Sequence, residues 1–176
     1  MSLRSVFLTS FLTSVLTIAV PVQADEPSVG PVIEGYGPTY PIDERDVPLP
    51  EGFVYKAVFD IAKDPAAGLV NGYLESVARF LNMHARNGVP VENMALAIVV
   101  HGKAVKNFLQ KSDNPNLELI ALLQEAGVDI YVCGQSMAFG GFAKTEFTDG
   151  VQIALSAMTM LTILQSDGYA LLPWGA

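Results

Sequence analysis

Six consecutive apolar residues, Ala95-Leu96-Ala97-Ile98-Val99-Val100, stop at His101-Gly102. A half-exposed strand alternates apolar with polar side chains, so a short run without alternation belongs to a strand covered on both faces, as in parallel sheets packed between helices. The rest of the chain repeats the unit. Residues 53–59 are rich in β-branched and aromatic types and end at Asp60. Leu69, Val70, Tyr73, Leu74, Val77, Leu81 and His84 then recur at helical spacing, with Asp64-Pro65 as the expected cap and first turn and Asn87-Gly88 as the stop. After the apolar run, a short helical stretch carries Val105, Phe108 and Leu109. A helix opened by Asn114-Pro115 and closed by Gly127 leads to a third strand at 128–132.

Residues 151–165 read as a short strand followed by a helix capped at Ser156, in preference to one long apolar helix, because Gly150 precedes a β-branched start. Gly168 closes that helix and residues 169–172 make a last short strand. Alternating strands and helices of this kind predict an α/β three-layer sandwich with a mostly parallel sheet and right-handed crossovers.

Two segments stand outside this pattern. Residues 1–24 have a charged tip at Arg4, an uncharged apolar stretch and Val22-Gln23-Ala24 before Asp25, the pattern of a cleavable secretory signal. The alternative is a membrane anchor, but the stretch falls short of the roughly 20 apolar residues that a spanning helix needs. Residues 25–52 hold six prolines and four glycines, too many breakers for a helix or central strand. We therefore expect a signal peptide (1–24), a Pro/Gly-rich arm (25–52) and one α/β domain (53–176), exported to a bacterial periplasm and free of the membrane once the signal is removed. The arm is expected to lie along a partner subunit through Tyr36 and Tyr40, and Asp43-Glu44-Arg45-Asp46 reads as a solvated charge run.

Without Arg4, nine basic residues face eighteen acidic ones, a formal charge of about −9. The basic residues are scattered, which argues against a nucleic-acid partner, since a phosphate backbone is held by clustered Lys and Arg. A single cysteine, Cys133, cannot form an internal disulfide, and in an oxidising compartment a lone thiol is either buried and inert or kept for chemistry.

Ligands of parallel sheets gather at the carboxyl ends of the strands. Asp60, His101 and Cys133 end strands there. Gly134-Gln135-Ser136 after the cysteine fits the start of a helical turn whose backbone N–H groups face the sulfur and favour its thiolate. Gly102, Gly134, Gln135 and Ser136 are the remaining pocket candidates. A buried structural thiol fits the same position equally well. His84 continues an apolar helical face and reads as a packing residue, as do Met137, Met158 and Met160. No dinucleotide fingerprint, phosphate loop, nucleophile elbow or paired zinc-ligand spacing is present, so neither a metal nor an organic cofactor is expected.

Val99-Val100-His101-Gly102, residues 119–127, the stretch Val128-Asp129-Ile130-Tyr131-Val132-Cys133-Gly134-Gln135-Ser136 and residues 151–169 together resemble the DsrE/DsrF-like family over about residues 53–174. The resemblance implies a three-layer α/β/α fold with a parallel sheet of about five strands, assembled as a trimer or hexamer. In the best-understood members a cysteine in the corresponding turn carries sulfur as a persulfide between partner proteins. Cys133 is the matching position, with His101 in a tuning or orienting role and a sulfur donor or acceptor protein as the partner. Three readings stay open: a persulfide carrier on Cys133, an oligomeric small-molecule or protein-binding module with a structural cysteine, and a Cys-His hydrolase in which Asp60 or Asn107 orients His101.

Overall fold

The computed structural model describes residues 25–65 and 68–173. The expected signal, residues 1–24, lies outside the described residues. Five strands, β1 (Tyr55–Ile61), β2 (Met94–Val100), β3 (Asp129–Cys133), β4 (Gln152–Ala154) and β5 (Ala170–Leu172), form one sheet in the order β4-β3-β2-β1-β5 with every neighbouring pair parallel. The apolar run is β2, the central strand, and its last five residues are buried.

Helices α1 (Gly72–Arg86) and α2 (Leu117–Glu125) pack on one face, where Leu74, Val77, Leu81, Leu119 and Leu123 meet Phe59, Leu96, Ile98, Ile130 and Val132. On the other face α4 (Ala157–Ser166) packs Ala157 and Leu164 on Val58, Ala97, Val99 and Cys133. The reason is topological. Strands β1 to β4 are laid down in one direction across the sheet, whereas the β4-to-β5 connection returns past all of them. A right-handed crossover running the opposite way places its helix on the opposite face. The result is an α/β/α sandwich with a fully parallel sheet of five strands.

Helix α1 starts later than Asp64-Pro65 suggests. Its cap is Asn71, whose Oδ1 accepts the Tyr73 N–H at 2.9 Å, and Leu69 lies outside the helix and exposed. Asp64 instead accepts a hydrogen bond from Asn107 Nδ2 at 2.8 Å and pairs with Lys106 at 2.6 Å. Asn107 also accepts from Asn71 Nδ2, and Asn116 Oδ1 accepts the Asn71 N–H at 2.7 Å. These amides satisfy the buried polar groups where the loops above β1 and β2 meet. The short helical stretch after β2 is a 3-10 segment, Gly102–Phe108.

Part of the arm packs on α1 of its own chain. Buried Asn82 of α1 accepts the Val32 and Ile33 N–H groups and donates to the Ile33, Tyr36 and Gly37 carbonyls. Arg86 donates to Ser28 and to the Val29 and Gly30 carbonyls. Ile33 is buried in the core, and Gly37 lies so close to the backbone of Ala78 and Arg79 that no Cβ fits there. Tyr36 donates to Glu118 of the same chain at 2.8 Å. Tyr40, Ile42 and Val47 remain exposed.

Candidate functional site

Cys133 is both the last residue of β3 and the N-cap of α3 (Gly134–Phe139). A strand can turn into a helix this tightly only where the backbone has room. At Gly134 an added Cβ would stand 2.7 Å from the Ala154 carbonyl oxygen at the end of β4, so glycine is required. Gly102 follows β2 with φ of +57°, a left-handed conformation that costs other residues about 1–2 kcal/mol. Its N–H reaches Ser136 Oγ of α3 at 3.0 Å.

The cysteine is 5% exposed, and burial alone pushes its thiol pKa up. That effect is outweighed by donor groups near the sulfur, the Ser136 hydroxyl first and then the Ser136, Ala157 and Gln135 N–H groups, which favour the thiolate, so the thiol pKa is lowered. The Ser136 hydroxyl oxygen accepts from Gly102, and the same side chain is the largest of the effects that lower the Cys133 pKa. Two helix starts contribute, because Gln135 and Ser136 open α3 while Ala157 opens α4. The contribution of Ala157 lay beyond sequence reasoning. Ser156 signalled a helix start, but nothing in the sequence placed that start beside β3.

Asp60, His101 and Cys133 come together at one edge. Val99 pairs with Tyr131 and Val100 with Val132, so the register sets His101 next to Cys133. Alternation puts both, with Asp60, on the α4 face. His101 Nε2 lies 2.9 Å from Asp60 Oδ1, without the alignment of a hydrogen bond. Of the two residues considered as its orienter, Asp60 is beside it, whereas Asn107 is held in the amide network with Asp64 and Asn71. The groups that lower the Cys133 pKa do not include His101.

The expected packing role of His84 is what the structure shows. Its ring stacks on Phe80 at 4.0 Å and meets Tyr55 edge-on, and Nδ1 lies 2.9 Å from the Phe80 carbonyl oxygen. Burial lowers its pKa, against the raising effect of that carbonyl.

Gly102, Gln135 and Ser136 also line a cavity between α3 and the 3-10 segment. Asp60, His101, Cys133 and Gly134 stand outside its lining. Among the described residues no group of three or more His, Cys, Asp or Glu is placed to hold a metal ion, and no helix is long and apolar enough to cross a membrane.

A five-stranded parallel sandwich with a buried free cysteine at a strand end defines the class: an α/β domain with a thiol at the carboxyl edge of its sheet. The chain belongs to the DsrE/DsrF-like family, whose model matches residues 56–174, and this is a sulfur-relay-related fold. Two solved structures share the fold. One is the protein of unknown function MTH1491 from Methanobacterium thermoautotrophicum, at 21% identity and a TM-score of 0.52 over 68% of this chain and 98% of that one. The other is the YchN protein of E. coli, at 16% identity and a TM-score of 0.51 over 68% of this chain and 97% of that one. No curated protein matches the chain.

Proposed function

We propose that the protein handles sulfur by carrying it as a persulfide on Cys133. The observation that carries this reading is the position of Cys133 at the start of α3 and against the start of α4, whose donor groups hold the thiol below its ordinary pKa although the residue is 5% exposed. A structural cysteine gains nothing from such donors, since a neutral thiol is a weak acceptor, whereas a thiolate is stabilised by each of them. In the loading step the Cys133 thiolate attacks the outer sulfur of a donor persulfide, R–S–SH. The new Sγ–S bond forms as the donor's S–S bond breaks. The donor leaves as its thiolate with the bonding pair, and the proton stays on the transferred sulfur. Delivery is the same displacement by an acceptor thiolate, and no oxidant is consumed. His101, with Asp60 Oδ1 2.9 Å from its Nε2, stands at the neighbouring strand end in an orienting role.

Residues 1–24 support export, probed by N-terminal sequencing of the protein from the cell envelope. Leu155, Met158 and Ile163 at the start and outer face of α4 are 72%, 77% and 48% exposed, and α4 carries no charged residue, which supports a homo-oligomer, a trimer or hexamer in the family pattern. The loading test is anaerobic incubation with glutathione persulfide followed by intact mass measurement. A gain of one sulfur atom that vanishes in Cys133→Ala is expected. No gain, or a gain that survives the substitution, would sink the reading.

A further inference from the structure

We propose that the cavity between α3 and the 3-10 segment binds an amphipathic organic anion, a molecule with an apolar body and one acid group. The cavity measures about 660 Å³, within the roughly 300–1,000 Å³ of small-molecule sites. Its outer wall is Phe139, whose side chain is 97% exposed, so a large aromatic surface stands uncovered at the rim. Its inner wall is Phe142, which is fixed edge-on against buried Phe147 at 6.3 Å and packs over Gly140, where a Cβ would collide with the ring. Two aromatic rings in one lining, one exposed and one packed, suit a flat or extended apolar group.

The charges select the sign of the ligand. Both Asp64 oxygens are engaged, Oδ1 by Asn107 and Oδ2 by Lys106, so the carboxylate has no strong site left for a cation and the Lys106 charge is matched. Lys103 has no carboxylate within ion-pair distance among the described residues. It is the unmatched charge of the lining, and it attracts an acid group. The cavity shares Gln135 and Ser136 with the surroundings of the thiol, but Cys133 itself lies outside its lining, so ligand binding does not rest on sulfur carriage.

The experiment is titration calorimetry of the full domain with 4-phenylbutanoate and with its neutral amide. The anion is expected to bind about threefold to fivefold more tightly than the amide, the range of a partly exposed charge pair. Lys103→Gln should bring the anion down to the amide's affinity, and Phe139→Ala should weaken both ligands. Each side chain is exposed, so neither substitution threatens folding. Cys133→Ala should leave both affinities unchanged. The proposal is overturned if neither ligand binds up to about 10 mM, if the two bind alike, or if Lys103→Gln or Phe139→Ala has no effect. Loss of persulfide loading with ligand binding intact would count against sulfur carriage alone, and the converse against this cavity alone.

Discussion

The Ser136 hydroxyl oxygen accepts the Gly102 N–H at 3.0 Å, so the end of β2 and the first turn of α3 share one polar contact beside Cys133. The Ser136 side chain is also the largest of the effects that lower the Cys133 thiol pKa. Removing it should therefore act on reactivity more than on the fold. In Ser136→Ala the midpoint of the iodoacetamide rate against pH should move up, and the rate near neutral pH should fall about threefold to tenfold. Ser136→Thr, which keeps the hydroxyl, should recover most of it. In the unaltered protein the midpoint should lie below the cysteine reference of about 8.5; a midpoint at or above that value contradicts a thiolate favoured by its neighbouring donors.

Gly134→Ala places a methyl group 2.7 Å from the Ala154 carbonyl oxygen, a backbone atom that cannot swing aside. We expect a loss of about 1–3 kcal/mol in urea unfolding, together with slower alkylation of Cys133, since β3 and β4 must separate at the point where the donors meet the sulfur.

The folded-state pKa of His84 is depressed by burial, so between that value and the unfolded value of about 6.5 the unfolded chain binds more protons than the folded one. Stability is then fully present above the unfolded pKa and declines as pH falls through this window. The slope is at most about 1.4 kcal/mol per pH unit for one group. Thermal unfolding from about pH 7.5 to 5.5 should show this decline, and His84→Leu should remove it. An unchanged slope in the variant would assign the effect elsewhere.

Asn82 satisfies five backbone groups of the arm with one side chain. Asn82→Ala leaves buried donors and acceptors without partners, at a cost of about 2–4 kcal/mol. Limited proteolysis should then cut within residues 25–52 while the α/β domain survives. Resistance equal to that of the unaltered chain would show that Ile33 and Arg86 suffice to hold the arm.

Leu155→Asp with Met158→Asp puts two charges on the uncharged start of α4. Light scattering should show a fall from oligomer to monomer mass with the circular dichroism spectrum unchanged. An unaltered mass would exclude this face from the assembly.

Much of this architecture was legible along the chain. Uninterrupted apolar residues at 95–100 dictated a central strand covered on both sides, and Ser156 marked the true start of α4, where its Oγ accepts the Thr159 N–H at 3.0 Å. The start of α1 was misplaced for a physical reason: Asp64 had two uses open to it, and a lysine and an asparagine more than forty residues away took it from the role of cap. The tie between the arm and α1 also lay outside the local apolar pattern. Asn82 is a polar residue on an otherwise apolar helical face, and that is the one local sign that something polar would be buried against it.

Hydrophobic periodicity acts over a few residues, and so the sequence by itself determined the elements, the layer type and the position of Cys133 at a strand end followed by a helical turn. The tertiary structure alone decided strand order, and with it the company of that cysteine: Gly102 from β2, Ala157 from the far side of β4, and His101 with Asp60 on the adjoining strand ends. Those contacts depend on which strands become neighbours and on which face each crossover helix lies, and these are set by packing the whole chain at once.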